Sequence, residues 1–205
     1  MNADGIAQAV SEAGLGPLSD ETSAKFILYL ELLLKWNAKL NLTAVRRPEE
    51  IVERHFVECI QCAEKLPKVS TLLDFGSGAG FPGIPIALVR REIQVTLGES
   101  QAKKASFLRE AVRTLGLNAS IYDGRIEEMT PDTRFDAVTL RAVDKMADAC
   151  AAALERLKPE GWLVVFATES TVEGLRQATP EIDWADRIST PGLSGGFLMM
   201  GRKTG

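Results

Sequence analysis

From Pro67 onward, short apolar runs alternate with helical patterns, and few folds accept that rhythm. A strand is expected from about Val69 to Phe75, followed by glycines and a helix from about Gly83 to Arg90. Ile93 to Leu97 reads as the next strand, Ala102 to Leu115 as a helix closed by Gly116, and Ala119 to Tyr122 as a third strand. A strand from Phe135 to Leu140 leads into a helix carrying Met146, Ala149, Cys150, Ala153, Leu154 and Leu157 on one face. A turn at Lys158-Pro159-Glu160-Gly161 then delivers a strand from Trp162 to Ala167. Short runs near Ile182 to Ser189 and Phe197 to Gly201 suit a terminal antiparallel hairpin. Such alternation predicts an α/β fold, a largely parallel sheet with helices on both faces and right-handed crossovers.

Ahead of Pro67 the pattern is helical. Phe26, Leu30, Leu33, Leu34 and Leu40 recur at three- and four-residue steps after the capping candidates Ser19 and Asp20. A second helix follows Pro48, with Val52, Phe56, Cys59, Ala63 and Leu66 as its apolar stripe. The expected organisation is an N-terminal helical extension over residues 1–66 and a sheet domain over residues 67–205, packed as one unit. A chain of 205 residues accommodates that, and two full-sized domains would be cramped. An apolar share of 45% and a charged share of 25% are ordinary for a globular protein and exclude collagen-like and disordered chains. The longest stretch without acidic or basic residues, Phe75 to Val89, is broken by Gly76, Gly78, Gly80, Pro82, Gly83 and Pro85, so no membrane span is expected. The N-terminus has no basic residues before an apolar run, which predicts a cytoplasmic protein whose three cysteines, Cys59, Cys62 and Cys150, are free thiols. With 24 basic and 28 acidic residues the net charge is −4, which argues against non-specific coating of nucleic acid. Arg46-Arg47, Arg90-Arg91 and Lys103-Lys104 are either local basic patches or solvated surface.

The richest segment is Asp74-Phe75-Gly76-Ser77-Gly78-Ala79-Gly80-Phe81-Pro82-Gly83, at the carboxyl end of the first strand, where open α/β sheets place their ligands. Its glycines permit close backbone approach, and the helix start beyond offers N–H groups to a carboxylate or phosphate. Glu99, at the end of the second strand, is suited to accept both hydroxyls of a ribose. Two cofactors compete. Gly78-x-Gly80-x-x-Gly83 fits the dinucleotide fingerprint, but Asp74 immediately ahead of Gly76 would be unhelpful beside a pyrophosphate. The register Asp-x-Gly-x-Gly-x-Gly suits S-adenosylmethionine, which carries no phosphate and has an ammonium that Asp74 would neutralise directly or through water. A tight packing turn without a ligand is the plain alternative.

Chemistry after the fourth strand is marked by what it lacks. The Asn/Asp-Pro-Pro-aromatic turn used on exocyclic amines is absent from Thr139-Leu140-Arg141-Ala142-Val143-Asp144. Cys150, a nucleophile candidate for cytosine C5, falls on an apolar helix stripe, and His55 is the only histidine available as a general base. An acceptor with a ready lone pair, such as guanine N7, would need none of these, because positioning and electrostatics supply the catalysis. His55, Cys59 and Cys62 share a helix face but have no second ligand cluster, so neither zinc nor redox chemistry is expected of them.

Trp36-Asn37, Asn41-Leu42-Thr43, Arg54-His55, the loop Asp74 to Pro85 with its Gly-Phe-Pro-Gly-Ile-Pro ending, Lys103 to Leu108, Arg125-Ile126-Glu127-Glu128, Phe135-Asp136 and Arg141-Ala142 extend over most of the chain. In these motifs it resembles the RsmG (GidB) small-subunit ribosomal RNA methyltransferases. The resemblance implies a Rossmann-like class I S-adenosylmethionine-dependent methyltransferase sheet, and N7 methylation of one guanine in the 530 loop of 16S rRNA. It implies a cofactor site built from Asp74, Gly76, Gly78, Phe81, Glu99, Ile126 and Glu127, with Ile126-Glu127 beside the adenine. Arg141 would be the catalytic residue, reaching toward cofactor and target base. The partner implied is 16S rRNA within the small ribosomal subunit or an assembly intermediate, met by a monomer. Two departures stand out: Leu193-Ser194-Gly195-Gly196-Phe197 replaces a basic turn, and Glu58-Cys59 stands where an Asp-Ser pair is common. The competing readings are an NAD-dependent oxidoreductase and a non-catalytic RNA or assembly module. Under these, Phe81 and Ile126 are packing, Glu127 a solvated charge and Arg141 a surface ion pair.

Overall fold

A strand buried on both faces marks the centre of a parallel sheet, and β1 (Thr71–Phe75) is buried from Leu72 to Phe75. It lies between β2 (Gln94–Gly98) and β4 (Phe135–Leu140), both parallel to it; β3 (Ala119–Tyr122) flanks β2, and β5 (Leu157–Thr168) flanks β4. The computed structural model describes residues 1–190 and 196–204. Within them β6 (Ile182–Trp184), β7 (Ile188–Ser189) and β8 (Gly196–Lys203) complete a sheet of order β3-β2-β1-β4-β5-β8-β6, with β7 also paired to β8. The strand order reverses between β1 and β4, so a crevice opens at their carboxyl ends.

Helices cover both faces. On one side α1 (Ala3–Glu12), α2 (Asp20–Leu40), α3 (Pro48–Ile51), α4 (Val57–Lys65), α5 (Gly83–Val89) and α6 (Ala102–Leu115) share a buried cluster with the sheet. On the other, α7 (Met146–Glu155) and α8 (Glu169–Ala178) do so. Period-two alternation assigns the strand residues: Val164, Leu198 and Met200 face the first cluster, and Leu163, Val165 and Met199 the second. The first 66 residues therefore supply much of one layer. Ser19 caps α2 by accepting from the Thr22 amide at 3.2 Å, and Gly116 closes α6 at φ 60.

Several expectations need correction. Lys158-Pro159-Glu160-Gly161 is not a turn ahead of a strand but lies inside β5, where Phe135 pairs with Leu157 and Ala137 with Trp162. The surplus residues bulge, with Glu160 at φ 62, and a Cβ on Gly161 would stand 2.9 Å from the Lys158 carbonyl oxygen. The C-terminal runs do pair antiparallel, β6 and β7 each with β8, but β8 is inserted between β5 and β6 and so belongs to the main sheet. Helices α1 and α8 had no counterpart in the sequence reading. The second N-terminal helix is interrupted by a π turn at Val52–Phe56, a local widening often found beside functional sites. The replaced basic turn at Leu193-Ser194-Gly195 lies outside the described residues.

Phe56, at the end of that π turn, is fully buried and stacks on Tyr29 at 5.3 Å and 9°, with Phe26 at 5.1 Å and Phe81 at 6.0 Å. It joins the N-terminal helices to the glycine loop. Phe56→Ala is expected to destabilise the fold by about 3–5 kcal/mol in urea denaturation. A loss below about 1 kcal/mol would mean that the site collapses easily and that this cluster does not join the two parts.

Candidate functional site: the crevice at the carboxyl ends of β1 and β4

The glycine loop is held from beneath. Asp74, at 0% exposure, accepts the Gly83 amide at 3.1 Å on one carboxylate oxygen and the Thr139 hydroxyl at 2.9 Å on the other. The Ser77 hydroxyl donates to the Asp74 carbonyl at 3.1 Å, and the Ser77 amide to the Gly98 carbonyl at 2.8 Å. Gly76, Gly78 and Gly80 all have positive φ. At Gly80, φ is 91 and a Cβ would stand 2.5 Å from Ile84 Cδ1 and 2.9 Å from the Tyr29 hydroxyl, so both conformation and space require glycine. Tyr29 itself donates to the Ala79 carbonyl at 2.6 Å, tying α2 to the loop.

This arrangement corrects one expectation. The start of α5 offers no N–H groups to a ligand: Gly83 donates to Asp74, Ile84 to the Gly80 carbonyl and Ile86 to the Pro82 carbonyl, while Pro85 has no N–H. A pyrophosphate finds no donors there. Asp74 lines neither cavity of the crevice, and its carboxylate oxygens are engaged in shaping the loop. Burial raises its carboxyl to about 6, against the hydrogen bonds from Ser77, Thr139 and Gly83.

Two adjoining cavities remain. One, of roughly 610 Å³, is walled by Thr43, His55, Phe81, Arg141, Phe166 and Phe197 among others. The second, of roughly 500 Å³, is lined by Phe75, Gly98, Ser100, Ile126 and Glu127 among others. Gly76, Glu99 and Val143 belong to both walls. Glu99 is fixed there by the amides of Gly78 at 3.0 Å and Gln101 at 2.8 Å. A Cβ on Gly98 would collide with Ile126, so the bare glycine is what lets Ile126 lie against the strand end. Gly76 and Glu99 thus face both cavities, Gly78, Phe81 and Arg141 the larger, and Ile126 and Glu127 the smaller.

Arg141 is no surface ion pair. Its Nη2 donates to Glu58 Oε2 at 2.6 Å, to His55 Nδ1 at 2.9 Å and to the Arg54 carbonyl at 3.1 Å, and its Nη1 to Cys59 Sγ at 3.7 Å. The ion pair is buried, with side-chain exposures of 10% for Arg141 and 0% for Glu58. The guanidinium carbon lies 5.5 Å from the Phe81 ring centre and 5.3 Å from that of Phe166. Because His55 Nδ1 accepts from Arg141, its proton sits on Nε2 and points to the Thr43 hydroxyl at 3.1 Å. Burial, and next the charge of Arg141, push the imidazole down to about 4. Burial raises Glu58 to about 7 although Arg141 and Arg54 draw it down. It also raises Cys59 and Cys150 to about 12, leaving both as thiols at neutral pH.

Sequence reasoning missed Glu58, Phe166 and the ties of His55. Arg54-His55 and Asn41-Leu42-Thr43 were visible as motifs, and the structure brings them together: Asn37 binds the Thr43 backbone at 2.9 and 3.0 Å, and Thr43 meets His55. No group of three or more potential metal ligands occurs among the described residues, and no described helix is long and apolar enough to cross a membrane.

The model of the GidB family, described as rRNA small subunit methyltransferase G, matches residues 22–190. Ribosomal RNA small subunit methyltransferase G of Xanthomonas oryzae pv. oryzae is 38% identical over 204 residues, covering 95% of each chain. The protein of that name from Clostridium perfringens is 37% identical over 167 residues, covering 78% of this chain and 70% of its own. Among solved structures, the N-methyltransferase NodS of Bradyrhizobium japonicum in complex with S-adenosyl-L-homocysteine has a TM-score of 0.61 at 17% identity, covering 84% of this chain and 98% of its own. That likeness shows a shared fold.

Since the Asp74 carboxyl titrates higher in the folded chain than its ordinary 3.8, folding binds a proton there. Its contribution to stability is complete below 3.8 and is lost as pH rises through about 6. Asp74→Asn removes this titration. Thermal melting of the variant is expected to vary less between about pH 4 and pH 6 than that of the wild type. An unchanged slope would assign the effect to another group.

Proposed function

The chain belongs to the rRNA small subunit methyltransferase G family, and we propose that it methylates N7 of a guanine in the 530 loop of 16S rRNA with S-adenosylmethionine as donor. The observation that carries the choice of atom is that, among the described residues, no base stands free in the larger cavity: Glu99, the carboxylate in its wall, is held by the amides of Gly78 and Gln101. His55, the only histidine, has both nitrogens engaged and is depressed to about 4. Glu58 and Asp74 are wholly occluded. An acceptor that must lose a proton would find only Glu99, already engaged by two backbone amides, whereas guanine N7 presents a lone pair and has no proton to lose.

The donor fits the chain's own residues. Glu99 would take the ribose hydroxyls, Ile126 offers an apolar face to the adenine with Glu127 beside it, and Gly76 and Gly78 leave the backbone open to close approach. The lack of N–H donors at the start of α5 supports a ligand without phosphate. When bound, S-adenosylmethionine supplies an electrophilic methyl group. Arg141 contributes a fixed cation in the cavity wall, able to orient the guanine O6 or a carboxylate, and Phe81 and Phe166 keep it flat.

Incubation with unmethylated small subunits is expected to place 7-methylguanosine in the 530 loop, mapped by sequencing and mass spectrometry. Methyl gain on a different atom, or none on any RNA form, would overturn the assignment. Calorimetry is expected to show binding of S-adenosylmethionine and none of NAD. Arg141→Ala should lower kcat by about a hundredfold.

A further inference from the structure

We propose that Glu58 is a positioning residue whose buried carboxylate, together with the Arg54 carbonyl and His55 Nδ1, holds the Arg141 guanidinium in one orientation in the cavity wall. The proposal rests on the reading of Arg141 as the group that orients the reactants. Among the described residues, all the polar anchors of the guanidinium come from one stretch of helix, residues 54 to 59, and none from β4, which Arg141 directly follows. Three of them converge on a single nitrogen, Nη2, within 3.1 Å.

The cost of the arrangement shows that packing alone does not account for it. Glu58 has 0% exposure and its second oxygen, Oε1, has no hydrogen-bond partner among the described residues. A buried carboxylate left half satisfied is unfavourable, and an apolar side chain of similar size would serve stability as well or better. What the carboxylate does achieve lies at the other end of the ion pair. An arginine side chain is long and flexible, and here it is immobilised by a charge-assisted bond of 2.6 Å while two aromatic rings limit its tilt. Its distance from the reactants is thereby set by the N-terminal helix rather than by its own backbone.

The charged and titratable groups around Glu58 are Arg54, His55 and Cys59 on its own helix and Arg141 from the end of β4; Asp74 of β1 and Tyr29 of α2 lie behind the loop. His55, at about 4, and the thiol, at about 12, do not change charge near neutrality. The carboxylate form makes the ion pair, so the hold on Arg141 weakens as pH falls through about 7.

The test compares the wild type with Glu58→Gln, which keeps the shape, and Glu58→Asp, which keeps the charge. In the ligand-free protein, nitrogen NMR of the Arg141 guanidinium is expected to show separate Nη signals in the wild type that average together in Glu58→Gln. With small subunits, Glu58→Gln is expected to lower kcat about tenfold or more while KM for S-adenosylmethionine stays within about threefold, and Glu58→Asp to recover part of the loss. The acid limb near pH 7 in the wild-type kcat profile should disappear in Glu58→Gln, leaving any limb near 6 that belongs to Asp74. Thermal melting confirms that both variants are folded. Wild-type kcat in folded Glu58→Gln, or guanidinium signals indifferent to the substitution, would overturn the proposal. Wild-type protein that modifies no guanine N7 while its Arg141 signals respond to Glu58→Gln would overturn the proposed function and leave the hold itself standing.

Discussion

One carboxylate that never meets solvent organises the crevice. Asp74 joins the end of β1 to β4 through Thr139 and to the start of α5 through Gly83. Two parallel strands and the helix that follows the first of them are thereby pinned at the point where the strand order reverses, and the glycine loop is forced to arch over the pin. The cost is the burial of a charge, visible as a carboxyl raised to about 6. In return the loop takes a single shape. The same bond occupies the amide that a phosphate would otherwise use, so one interaction both builds the site and narrows what can occupy it.

The N-terminal helices complete that site from the opposite side. Tyr29 holds the Ala79 carbonyl, Phe56 packs on Tyr29 and Phe81, and the helix from Arg54 to Cys59 receives Arg141. A π turn at Val52–Phe56 precedes these contacts, and the Arg54 carbonyl within it accepts from Arg141 instead of serving only its own helix. Polar ties of this kind add little net stability when buried. Around them, the fully buried Phe26, Leu33, Phe56, Ile60 and Phe107 provide the apolar area that offsets their desolvation. The sheet alone would leave Arg141 without a partner and one face of the crevice open.

Elements whose signal is local were legible before the structure. The helix Ala102–Leu115, its Gly116 cap and the strands Ala119–Tyr122 and Phe135–Leu140 follow from periodicity and capping chemistry, which act over a few residues. The bulge in β5 was hidden because Pro159-Glu160-Gly161 has the composition of a turn, and only pairing with β4 shows that the strand continues through it. Helix α1 buries Ile6 and Val10, an i,i+4 pair behind its Asn2 cap, which is a local signal the sequence did carry. Asp74 and Glu99 stand at strand ends that position alone singles out, but their depth of burial carries no local signal. The Glu58–Arg141 pair spans 83 positions in sequence, and no spacing rule connects residues so far apart.

The distribution of protons decides what chemistry such a site can support. Near neutrality the cysteine beside Arg141 keeps its proton, the histidine holds its own on the nitrogen facing Thr43, and the carboxylates of Glu58 and Asp74 are turned inward. Among the described residues the one carboxylate in the wall of the larger cavity, Glu99, is engaged by two backbone amides. A cation of fixed charge stands in its wall, bonded on one side and flanked by aromatic rings on the other. Rate acceleration in such a place must come from orientation and from a preset field, because those are the only resources the side chains offer. Displacement at carbon by an unprotonated ring nitrogen asks for these two resources and nothing more. That the single histidine is devoted to holding an arginine supports the proposed acceptor.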